Sequence, residues 1–378
     1  MVAFVILVIC TLAYVGYFHN AFVNDEWIDV DGFTRILIPD VFLYITLTES
    51  MDDLQWLQLG VAGVKNALGP VVMWKMGGQS WYGMACVNIA IIAATLVYTI
   101  KLAKHFNIEL QSTWKICMTL LLLPAMIYYS VGPAKELPTL LGVTGFFYHF
   151  IKRQALRWML MAAIAVLFRY QLLAVIFPFI FVARFTRNPL RRAVQLMVVA
   201  AMAYPVIAQV GILSSQETAN FREESGSQTG AMIETIRDKV PVVSALAVGV
   251  RVAQSVIEPV MNSLHPEGLF QNNNISIITF VYLLSFVPLA PYWFRTFVWI
   301  TKLYQTKNPV HRDSLTVYAF IVLFAVPVGG FSFVHHRYLF PLTVLLMLAG
   351  YESVRQAKIR WNRERSCQMV PASPLSPV

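Results

Sequence analysis

Asp25, Glu26, Asp29 and Asp31 crowd into the stretch NAFVNDEWIDVDGFTRI, directly after the first apolar segment of the chain. Carboxylates in such a place can do three things. They can form a solvated acidic loop, hold a divalent cation through hard oxygen ligands, or act as a general base on a sugar hydroxyl or an amine. Asp29 follows Asp25 by four residues, so the two share one face if the stretch is helical. Asp25, Glu26 and Asp29 are the candidate catalytic acids. Asp25 and Glu26 are also the candidate ligands of a Mg or Mn ion. Which of the three is the base stays open.

Isolated cations at the ends of other apolar segments complement these acids. In VGPAKELPTLLG, Lys135 and Glu136 are bracketed by Pro133 and Pro138, which stop a helix from running through. An adjacent Lys–Glu pair at membrane depth is costly unless paired or wet. Lys135 is therefore a candidate phosphate contact, with Glu136 expected to hold it in place. In LFRYQLL, Arg169, Tyr170 and Gln171 interrupt two apolar runs. A guanidinium fork there suits a phosphate or diphosphate, and Tyr170 would support it. SFVHHRYLFPL contributes Arg337 as a further anion contact, with His336 and Tyr338 beside it. Lys65 and Lys75 flank NALGPVVMW and add positive charge. A turn with surface charges at Lys135 and a snorkelling side chain at Arg169 are the plainer alternatives.

The elements that must position these residues are apolar. The chain of 378 residues is 57% hydrophobic and 13% charged, with a mean hydropathy of +0.61. Soluble domains carry about 25% charged residues. The expected fold is all-α: a polytopic transmembrane bundle of about ten spans, near 1–18, 80–100, 113–131, 137–151, 157–168, 171–184, 193–212, 274–294, 315–333 and 338–352. Residues 1–354 form the membrane domain and 355–378 a basic, partly disordered cytoplasmic tail. The segment 157–184 reads better as two short helices meeting at Arg169 than as one, because only then do its flanking basic clusters lie on one side. The first segment reads as a retained span, since no basic region or small-residue cleavage site accompanies it.

With both termini inside, nineteen of the 29 Lys and Arg residues fall in cytoplasmic loops or the tail, joined by four of the twenty acids. This positive-inside bias fixes the orientation. The net charge of +9 is thus mainly a topology signal, and the absence of zinc-finger spacing or a base-reading basic helix excludes nucleic acid as a partner. Two long segments, about 19–79 and 213–273, are left outside. Both contain apolar helical stretches expected to lie in the interface or re-enter it. Of the four cysteines, none falls in an external loop, so no disulfide framework is implied.

This layout resembles that of GT-C type integral-membrane glycosyltransferases and bacterial surface-polysaccharide membrane proteins. The first-loop NDEWIDVD and the late RYLFPL carry the resemblance, and NALGP and AKELP are similar to pieces of the polysaccharide proteins. The resemblance implies that Asp25 or Glu26 matches the first-loop acid and Arg337 the late arginine. It implies transfer of a sugar from a polyprenyl-phosphate or -diphosphate donor to a glycan or lipid acceptor, at the outer face of a bacterial inner membrane, in cell-surface polysaccharide biosynthesis. In that mechanism an acid deprotonates the acceptor, while Arg169, Arg337 and Lys135 stabilise the departing phosphate, with or without a metal ion. A polysaccharide polymerase is the nearest alternative. A lipid-linked glycan transporter or flippase is the alternative of another class, against which stand the lack of paired halves and the placing of charges at helix ends.

Overall fold

Apolar runs become helices, and Pro178, Pro288 and Pro291 lie inside such helices without ending them. The computed structural model describes residues 2–23, 44–45, 48, 67–209, 270–271, 274–275, 277–305, 312–330 and 339–353. Among them the helices are α1 (Val2–Val23), α2 (Leu68–Met76), α3 (Trp81–His105), α4 (Leu110–Leu122), α5 (Pro124–Ser130), α6 (Glu136–Ile151), α7 (Ala155–Phe168), α8 (Leu173–Phe185), α9 (Pro189–Gln209), α10 (Ile277–Gln305), α11 (Arg312–Gly330) and α12 (343–353). Short 3-10 turns at Tyr170–Leu172 and Phe340–Leu342 lead into α8 and α12. The β pairing among the described residues is one antiparallel contact of Phe270–Gln271 with Asn274–Ile275. The architecture is all-α.

Each expected apolar segment overlaps a described helix, including the division at Arg169, though Asn274–Ile275 is strand and 210–212, 331–333 and 338 lie outside the described residues. By length and composition, however, α3 alone among the described residues is a continuous helix able to cross a membrane. α4 and α5 pass the same test together, bent by 53° at Leu123. The physical reason is Pro124, which has no N–H and ends the α4 ladder. The freed Ala125 N–H is taken by Ser285 Oγ of α10 at 3.0 Å.

Most of the helices are predominantly apolar. Their inner faces meet in a core that includes Phe146, Phe147, Phe179 and Phe320, all fully buried and in ring contact. Outer faces are apolar too, most plainly on α7 and α8. Phe177, Phe181 and Phe185 form an exposed i, i+4, i+8 stripe on α8, and Leu156, Met159 and Leu160 are exposed on α7. Contiguous exposed apolar faces of this kind mark contact with lipid or with another protein.

α6 and α7 approach through small residues. A Cβ added to Gly142 would lie 2.7 Å from the Ala165 backbone nitrogen and 2.9 Å from its Cα. This backbone contact fixes Glu136, at the start of α6, relative to Arg169, just past the end of α7. Part of the first long loop packs against the helices. Tyr44, Ile45 and Thr48 are buried, and α2 buries Gly69, Val71 and Trp74 against α3 and α7.

Candidate functional site

Four stretches far apart in sequence meet where α6 begins. The loop 131–135 between α5 and α6 is almost wholly buried, so its backbone needs internal partners. Asn88, inside α3, supplies them: its Nδ2 donates to Ser130 O at 2.8 Å and to Gly132 O at 3.0 Å. Ser130 Oγ donates to Ile127 O, so Thr11 of α1 is the donor in the 2.8 Å contact between the two hydroxyls. The loop is therefore tied to two helices before it delivers Lys135 and Glu136.

Glu136 is 3% exposed and Arg169 is 7% exposed. Glu136 Oε1 accepts a hydrogen bond from Arg169 Nη2 at 2.8 Å. Contrary to what the sequence suggests, Glu136 does not hold its neighbour Lys135: its carboxylate faces the guanidinium of Arg169, because α6 and α7 are in backbone contact and carry both residues to one end. Arg169 sits in an extended break, at φ −142° and ψ 87°. Its N–H still caps α7 through Ala165 O at 2.9 Å, and its carbonyl opens the next turn through Leu172 N–H at 3.0 Å. Tyr170 follows in that turn, half-buried.

Lys135 is half-buried, and its Nζ lies 5.0 Å from the centroid of the Tyr44 ring. That is a cation–π contact between the α5–α6 loop and the first long loop. Lys135 O accepts from both the N–H and the hydroxyl of Thr139, at 3.1 and 2.6 Å. The turn Phe340–Leu342 packs against α6, and Phe340 meets Tyr129 edge-to-face at 4.9 Å. The segment following Arg337 and Tyr338 thus belongs to the same neighbourhood.

The structure brings together Lys135, Glu136, Arg169 and Tyr170 of the sequence-derived candidates. Asp25, Glu26, Asp29, Lys65, His336, Arg337 and Tyr338 lie outside the described residues. So do the metal-ligand assignments to Asp25 and Glu26. Among the described residues no three His, Cys, Asp or Glu side chains cluster as metal ligands. Asn88, Thr11 and Tyr44 were not found from the sequence. Asn88 alone left a signal, as an amide within the apolar run WYGMACVNIAIIAA.

Chemically, the arrangement sets two cations against one carboxylate at one end of the helices. Arg169 is oriented by Glu136, and Lys135 is presented on a loop that cannot shift without breaking the Asn88 bonds. No protein-family model matches the chain, and no curated protein or solved structure matches it either.

Proposed function

We propose that the chain is an integral-membrane glycosyltransferase. It takes a sugar from a polyprenyl-phosphate-linked donor and passes it to a glycan or lipid acceptor in the making of a cell-surface polysaccharide. In this reading about ten of the helices cross the bacterial inner membrane, both termini are cytoplasmic and the reaction takes place on the outer face. The exposed apolar stripes on α7 and α8 support the lipid surroundings. The gathering of basic residues in the loops at the opposite end from Lys135 supports the orientation.

The observation that carries the reading is the buried Glu136–Arg169 pair beside Lys135, with the first-loop residue Tyr44 touching the lysine. A guanidinium held by a carboxylate is a preorganised anion contact. The first loop, which carries the candidate acids, reaches the same place. In the reaction, Asp25, Glu26 or Asp29 takes the proton of the acceptor hydroxyl. The acceptor oxygen forms its bond to the anomeric carbon as the bond from that carbon to the phosphate oxygen breaks. The phosphate leaves with the electron pair, and Lys135 and Arg169 offset its growing charge. A Mg or Mn ion held by the acids would add Lewis-acid assistance.

Binding tests the site without knowledge of the sugar. In purified full-length protein, undecaprenyl phosphate should raise the thermal unfolding midpoint, and the uncharged undecaprenol should not. Lys135→Gln should weaken phosphate-lipid binding about tenfold or more, the cost of a lost charge-assisted contact. In the native host, Asn in place of Asp25, Glu26 and Asp29 should abolish surface glycan at unchanged protein level. Equal stabilisation by the alcohol and the phosphate, or glycan intact in the triple variant, would overturn the reading.

A further inference from the structure

The far end of α6 holds a second concave site. Glu136 and Ile151 mark the two ends of this helix, which places them roughly 22 Å apart along its axis. Between the C-termini of α6 and α8 and the N-terminus of α11 is a cavity of about 430 Å³. That volume is within the range of small-molecule clefts. Arg153, Arg184 and Arg312 line it, with Asp313 the carboxylate among its lining residues.

The charges there are sorted. Asp313 Oδ2 lies 2.9 Å from His105 Nε2 of α3, so the carboxylate is engaged by a ring on another helix. Arg312 Nη2 donates to Ala183 O at 2.7 Å and to Arg184 O at 3.4 Å, which covers carbonyls left open at the end of α8. That leaves Arg153 and Arg184 as exposed guanidinium groups with no carboxylate partner among the described residues. Arg153 is held at φ +57° directly after α6, and its N–H is fixed on Phe150 O at 3.0 Å. The first turn of the 19-residue helix α11 enters the same wall, adding its N-terminal dipole.

We propose that this cavity binds the phosphodiester headgroup of an anionic lipid, such as phosphatidylglycerol. Two guanidinium forks, a third that closes a helix end and a helix N-terminus all favour a phosphate oxyanion. Arg184 stands on the same helix as the exposed Phe177, Phe181 and Phe185, apolar surface of the kind that acyl chains contact. Basic pockets between membrane helices on the cytoplasmic side suit this class of ligand. The proposal rests on the membrane placement put forward above, and it is independent of sugar transfer.

The test uses delipidated full-length protein in neutral detergent. Phosphatidylglycerol, phosphatidylcholine and inorganic phosphate are titrated separately, with native mass spectrometry and thermal unfolding as readouts. Phosphatidylglycerol should give a one-to-one adduct and a raised midpoint, and the other two should give neither. Arg153→Gln and Arg184→Gln should each lower phosphatidylglycerol affinity about fivefold, as expected for one surface guanidinium. These residues are exposed, so single variants should fold. Lys115→Gln, within α4 and outside the cavity lining, and Lys135→Gln, at the other site, should bind as the parent does. Failure of undecaprenyl phosphate to respond to Lys135→Gln would count against the proposed function alone. Equal binding of phosphatidylcholine, an unchanged affinity in both arginine variants, or stabilisation by inorganic phosphate alone would overturn the lipid assignment, the last in favour of a soluble phosphate compound.

Discussion

Removing one member of the Glu136–Arg169 pair leaves the other as an uncompensated buried charge. Such losses cost about 3–5 kcal/mol, whereas apolar replacement of both partners is often neutral. Glu136→Gln and Arg169→Met should each destabilise the protein strongly, and the double variant Glu136→Leu/Arg169→Met should recover most of the loss. A double-mutant cycle on thermal or denaturant unfolding checks this, and strictly additive effects would refute the coupling. Phosphate-lipid binding should fall in the stable double variant, because the preorganised guanidinium is gone. The residue types were legible in sequence: an adjacent Lys–Glu, and an Arg between apolar runs, stand out in a greasy chain. Their pairing was not, because thirty-two residues and a helical hairpin separate Glu136 from Arg169.

At the scale of the element, the α6–α7 hairpin is the part that sets this geometry. Gly142 lies against the Ala165 backbone with no room for a Cβ. Gly142→Leu should therefore push the helices apart and cost about 1–3 kcal/mol of stability, the usual effect of overpacking. It should also weaken phosphate-lipid binding although Gly142 is distant from the ligand. Unfolding and binding measured on one preparation check both effects, and unchanged values would show that the helices separate freely. The break at Arg169 was expected from charge placement. The bend at Leu123 was signalled by Pro124, but its partner Ser285 is 160 residues away and was not. α2 read as an interfacial or re-entrant helix, from an apolar stretch that holds Lys65, Asn66 and Lys75. It packs inward because Gly69 admits the Phe168 ring at 2.7 Å from where a Cβ would stand.

For the whole molecule, the two ends carry opposite tasks in the proposed reading, and orientation is the property to measure. In a variant whose four cysteines are replaced, Gln79→Cys, on the exposed turn before α3, should react with an impermeant maleimide in intact cells. Asn107→Cys, on the exposed turn after α3, should react only once the membrane is opened. The reverse pattern would turn the molecule over and remove the outer-face reading. Arg153 and Arg184 line one cavity, as the two-helix reading of 157–184 requires. One long helix would carry them to opposite sides.

By itself the sequence determined the helical class, the position of each apolar segment and the segregation of basic loops. These follow from composition and local periodicity, which act along the chain without regard to what packs where. The tertiary structure alone decided that Glu136 holds Arg169 and not its neighbour Lys135, that Asn88 anchors the loop between them, and that Arg153, Arg184 and Arg312 share a cavity. Those are meetings between residues distant in the chain. They depend on which helix faces touch, and helices with so little polar contrast carry only a weak pattern to announce it.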